Sequence, residues 1–179
     1  MEGTMKIRTI AFLVMTAFAC IACTGSGLNK QTGYAELSWA QFSGLEKEFS
    51  LKLGPKALSL IHYFMKLDND KDPELAFLQH IQGVQVKNYK VANNQALANK
   101  RVAAAFEKLI EQNWQIAVSA KEADGERVHI LIKHTDQTNT TLAGICILAL
   151  DNQELVFVNV VGDFDEMALA QVMALSNKG

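Results

Sequence analysis

The residues closest to catalytic chemistry lie near the carboxyl end, in the run Leu155-Val-Phe-Val-Asn-Val-Val-Gly-Asp-Phe-Asp165. Asp163 and Asp165 are carboxylates at alternate positions, a pattern that suits cation binding or acid–base work. A structural explanation covers the same residues. Gly162 suits a sharp turn from strand to helix, and Asp163 with Glu166 three positions on makes a capping-box-like start. Asp165 would favour the positive end of that helix's dipole. Asn159, on an otherwise apolar strand, can hydrogen-bond a neighbouring turn. The motif Asn159, Gly162, Asp163, Asp165 is therefore read as structural, and no catalytic residue is assigned.

Other reactive side chains carry less. Asp68-Asn-Asp-Lys-Asp-Pro-Glu74 has the acidity of a calcium loop, but the sixth position is Pro73 where an EF-hand needs Gly, and the twelfth is Gln79 where it needs Glu. A solvated loop with Asp72 capping a helix opened by Pro73 explains it. His62, His80, His129 and His134 show no HxxxH, HExxH or Cys–His spacing, so no metal site is expected. Cys146 sits in an apolar strand and reads as a buried, inert thiol. No phosphate loop, dinucleotide fingerprint or nucleophile elbow occurs, and no cofactor is expected.

Cys23 is different. Lys6 and Arg8 precede an apolar run from Ile10 to Cys23, too short to span a bilayer and shaped like a secretory signal whose start is Met5 or Met1. The run ends Cys20-Ile-Ala-Cys23, which resembles a bacterial lipobox. There a small residue precedes a cysteine whose thiol accepts the diacylglyceryl group. Cys20 stands where Leu is usual and is the weaker candidate for the lipid. Thr24, which is not Asp, resembles an outer-membrane sorting position. The expectation is an exported protein, lipid-anchored in the envelope and facing the periplasm.

These residues need elements to hold them. The chain has 179 residues, 49% hydrophobic and 20% charged, enough for a packed core. Its net charge of −2 gives no field for nucleic acid. Residues 1–22 form the signal peptide, 23–45 the anchor and a flexible tether, and 46–179 a single domain. Phe49, Leu51 and Leu53 alternate with polar residues and predict a strand. Pro55 suits a first helical position, and Leu58, Ile61 and Met65 continue at helical spacing. A short helix over Leu75 to His80 follows, then a strand from Gly83. Asn93 or Asn94 caps a helix that buries Val102, Phe106, Leu109 and Ile110, and Asn113 ends it in the left-handed conformation. Strands around Ile116–Val118 and Val128–Ile132 flank Asp124-Gly125, a hairpin signal. Leu142–Leu150 and Leu155–Val161 form a second hairpin, the former expected to be central and covered on both faces. A last helix carries Met167, Leu169, Val172, Met173 and Leu175. The order β-α-β-α-β-β-β-β-α predicts an α+β fold, a mostly antiparallel sheet of five or six strands with helices packed on it.

Asn113-Trp114, the Asp124-Gly-Glu126 turn, the closing Asn159-x-x-Gly-Asp-Phe-Asp165 run and the His80-Ile-Gln-Gly-Val-Gln-Val86 segment together resemble the bacterial domain of unknown function 4252 family. The resemblance spans Phe49 to Leu175, with Gln82 and Gln85 standing where basic residues are expected. It implies a small exported lipoprotein and no particular activity. The expected role is a non-enzymatic module that binds another envelope protein or assists signalling. The alternative is a carrier or sensor of a small apolar or lipid-like ligand held between sheet and helices.

Overall fold

The computed structural model describes residues 27–67, 78–91, 94–121, 125–135 and 140–165. The expected signal peptide, Cys20, Cys23, the acidic loop and the closing helix lie outside the described residues. So does the helix expected over Leu75 to His80, save for its last three positions.

Two 3₁₀ turns, Leu28–Lys30 and Trp39–Phe42, open the described chain. They precede β1 (Glu46–Leu53), α1 (Pro55–Leu67), β2 (Ile81–Lys90), α2 (Gln95–Glu111), β3 (Gln115–Lys121), β4 (Arg127–His134), β5 (Leu142–Leu150) and β6 (Glu154–Phe164). The strands form one open antiparallel sheet in the order β1-β2-β6-β5-β4-β3. The fold is α+β. Its described order differs from the expected one in the two opening turns, and the closing helix falls outside it.

Alternation decides the two faces. On β6, Leu155, Phe157 and Asn159 are buried on one face, whereas Val156, Val158 and Val160 are half-buried on the other. The first face is closed by α2, through Ala98, Val102, Ala105 and Leu109, and by the opening segment, through Ala35, Leu37 and Phe42. Ile110, expected inside, is exposed, because the stripe follows Val102 and Ala105 round to Leu109. α1 packs on the second face, where Leu58 and Ile61 join a cluster with Val84, Ile132, Val160 and Phe164. The full cover expected for β5 is therefore complete on one face only: Ile145 and Ile147 remain half-buried.

Local chemistry explains the junctions. The Asn113 N–H donates to the Ile110 carbonyl and the Trp114 N–H to that of Leu109, with Asn113 at φ 63°, a Schellman ending for α2. Asn94 occupies the N-cap position, but its side chain makes no capping bond. The turn between β5 and β6 is held by Asp151, whose Oδ1 accepts the N–H groups of Gln153 and Glu154, both at 2.6 Å.

Candidate functional site

The closing motif forms a packed junction in which the four residues have separate tasks. Asn159 is fully buried, and its amide is satisfied: Oδ1 accepts the Ala35 N–H at 3.0 Å, while Nδ2 donates to the carbonyls of Gly33 at 3.0 Å and Ile145 at 3.2 Å. That pairing makes a buried polar group affordable. Its partner is expected to be a neighbouring turn; two of its three partners, Ala35 and Gly33, are instead in the opening segment of the described residues.

Gly162 does not make the strand-to-helix turn expected of it. β6 continues to Phe164, and Gly162 is absent from the positive-φ glycines Gly27, Gly44 and Gly125. The requirement at Gly162 is space. A Cβ there would overlap the His80 carbonyl oxygen and lie 2.6 Å from the Phe164 ring. The sheet register slips on both sides of this point, against β2 and against β5. Asp163, expected to cap a helix, is a strand residue beside these slips. Its N–H donates to the His80 carbonyl at 3.1 Å, and its Oδ2 accepts from Gln82 Nε2 at 2.6 Å. Asp165 follows the strand's end and begins the exit from the sheet.

The second unexpected feature is the opening segment. Residues 23–45 are expected to be the anchor and a flexible tether, yet among those described Leu28, Ala35, Leu37 and Phe42 are buried. Leu28 fills the space above Gly83, where a Cβ would overlap the leucine's Cδ1, and Gly33 lies against the Ala143 carbonyl. Phe42 stacks on Tyr89 with centroids 4.8 Å apart, and Lys87 Nζ, which donates to the Leu37 carbonyl at 2.8 Å, lies 5.4 Å from the Phe42 ring centroid. Burial, then the charges of Lys52 and Lys47, pull the Lys87 ammonium below its ordinary value. The signal for all this was present in Leu28, Leu37 and Phe42, apolar residues that a free tether would not need.

The remaining reactive groups do not assemble. Among the described residues no group of His, Cys, Asp and Glu could hold a metal ion. Cys146 is fully buried, and burial pushes its thiol far up from the ordinary value, which disfavours the reactive thiolate. His129 meets Ser119 Oγ at 3.0 Å and the Phe106 ring at 4.7 Å, and burial followed by the Arg127 charge lowers its pKa. His134 lies on the same strand at the opposite parity.

The sheet has two edges, and they differ. β1 carries Glu46, Lys47, Glu48 and Lys52, charges that discourage strand addition, while a register shift occurs on both edges, between Lys47 and Phe49 in β1 and between Ile116 and Val118 in β3. β3, Gln-Ile-Ala-Val-Ser-Ala-Lys, is exposed throughout and has Lys121 as its one charged residue. Ile116 is 51% exposed and Val118 45%, and Val128 on β4 adds 38%. Beside them runs the half-buried face of Ile130, Ile147 and Val158. An edge whose single charge is at its end, next to exposed β-branched side chains, offers backbone donors and acceptors together with apolar contact. The sequence predicted the strand but not its place at the edge.

Among curated proteins nothing matches this chain. The family model described as Domain of unknown function (DUF4252) matches residues 42–172, which takes in the six strands and two helices described above and the closing motif. The chain belongs to that family.

Proposed function

We propose that this chain is an exported envelope lipoprotein, anchored through Cys23 to the outer membrane and facing the periplasm. Its domain is a non-enzymatic protein-binding or signalling-accessory module, and the β3 edge is its docking strand. The observation that carries this reading is the contrast in charge between the two sheet edges, four charged residues on β1 against one on β3. An extended segment of an envelope protein would add a strand beside β3 and cover Ile116 and Val118.

A second reading, a carrier of a small apolar or lipid-like ligand, is supported by the half-buried valine and isoleucine face. The cleft lined by Arg127, Val128, Leu150 and Val156 measures about 130 Å³, below the usual range of ligand pockets, about 300–1,000 Å³. This favours the protein partner.

The anchor and the docking strand are tested separately. Cys23→Ser should abolish fatty-acid labelling, since only the thiol accepts the diacylglyceryl group; label persisting on the variant would move the lipid elsewhere, Cys20 first. Affinity capture from detergent-solubilised envelope should recover a partner with the native chain and lose it with Val118→Lys. Equal recovery by both would remove β3 from the account. A small molecule copurifying with the domain in native mass spectrometry would favour the carrier.

A further inference from the structure

On the second face of the sheet, Leu58 and Ile61 of α1 cluster with one cross-strand row, Leu53, Val84, Val160 and Ile132. The next row on that face is Leu51, Val86, Val158, Ile147, Ile130 and Val118, register partners in turn across all six strands. Every residue in it is apolar. Five are half-buried and Val118 is 45% exposed. None of the six belongs to either core cluster formed by the described residues. With strands about 4.8 Å apart, the row makes a continuous apolar stripe about 24 Å long. A stripe of that length is seldom left to water.

The chain carries an occupant of matching chemistry. β6 ends at Phe164, which is fully buried in the α1 cluster, so the chain leaves the sheet on this same face. Residues 166–179 follow, and from Met167 to Leu175 the one polar side chain is Gln171. A helix of that composition, as expected here, is apolar nearly all round and needs burial. Its reach is sufficient. As a helix, residues 166–179 span about 21 Å. From Asp165 back along the sheet to Val158 is about 23 Å. Laid beside α1, the later part of the segment, with Val172, Met173 and Leu175, comes up to Ile147 and Val158.

We propose that the closing segment, Met167 to Leu175, lies on the second face of the sheet beside α1 and covers the stripe centred on Ile147 and Val158. The inference goes beyond the proposed function and does not depend on it. The face that a carrier would offer to an apolar or lipid-like ligand is then filled by the chain itself. The apolar surface left for a partner is the β3 edge, with Ile116, Val118 and Val128.

The test is intramolecular photocrosslinking in the purified full chain. A diazirine-bearing leucine analogue at Ile147 should link, within one molecule, to a peptide from residues 167–175. The same analogue at Ala103, exposed on α2 and on the other side of the sheet, should not. Val172→Glu with Met173→Glu should remove the link and raise binding of a hydrophobic dye several-fold, while amide exchange in the β5–β6 hairpin stays slow. A link from Ile147 to a second copy, to a copurified lipid or to another protein overturns the proposal and names the occupant instead. Reaction with solvent alone overturns it as well, and each of these results leaves the β3 test unaffected.

Discussion

Asn159 Oδ1 accepts the Ala35 N–H at 3.0 Å, a bond between residues 124 positions apart. The same side chain donates to Gly33, so one buried amide pins the opening segment to the middle of the sheet. A residue that looks catalytic beside two aspartates is a staple between the two ends of the described chain.

Replacing Asn159 by Leu should destabilise the domain by about 2–4 kcal/mol, because the Ala35 N–H and the Gly33 carbonyl would both be left buried and unpaired. Chemical denaturation measures the loss. Amide exchange at Ala35 should rise in the variant above the level of the β5–β6 hairpin. Unchanged exchange at Ala35 would mean the staple does not hold the segment.

Gly162→Val should cost about 1–3 kcal/mol through overpacking against the His80 carbonyl. Asp163→Asn should cost far less. An amide oxygen at that position still accepts from Gln82, and the Asp163 backbone N–H to His80 is untouched. If Asp163→Asn keeps full stability yet abolishes partner binding, the carboxylate has a role beyond this junction.

A chain beginning at Glu46 should be markedly less stable than one beginning at Gly27. The shorter chain lacks Leu28, Ala35, Leu37 and Phe42, all buried. Leu28→Ala alone should cost about 2–5 kcal/mol as a core truncation. Equal melting temperatures for the two chains would restore the tether.

Much of the sheet was legible because its signals are local. Period-two alternation marked β1 and β2, the polar turn from Asp151 to Glu154 separated β5 from β6, Pro55 marked the start of α1, and Asn113 marked the end of α2. What escaped depends on contacts between distant segments. Leu28 and Phe42 looked isolated until β2 and β6 brought Gly83 and Phe157 beneath them. Gly162 was legible as a glycine that matters, but for the wrong reason, since its constraint comes from the His80 carbonyl on a neighbouring segment. The Gln82–Asp163 bond and the edge position of β3 likewise exist only once strand order is known.

His129 predicts a pH dependence. Its folded pKa is lowered, first by burial and then by Arg127, so the folded state binds fewer protons than the unfolded chain near neutrality. The stability it contributes is fully present above the unfolded value, about 6.5, and is lost as pH falls through that value towards the folded one. His129→Gln should flatten this slope in a series of urea melts. A slope unchanged by the substitution would assign the effect to other groups.

The central claim, that β3 is the docking strand, is tested most directly by photocrosslinking in intact cells. A benzophenone side chain at Ser119 on β3 should give a discrete crosslink to another envelope protein, absent when Val118→Lys is added. The same probe at Glu48 on β1 should give none. Crosslinks from β1 alone, a β3 crosslink indifferent to Val118→Lys, or a product containing two copies of this chain would contradict the account.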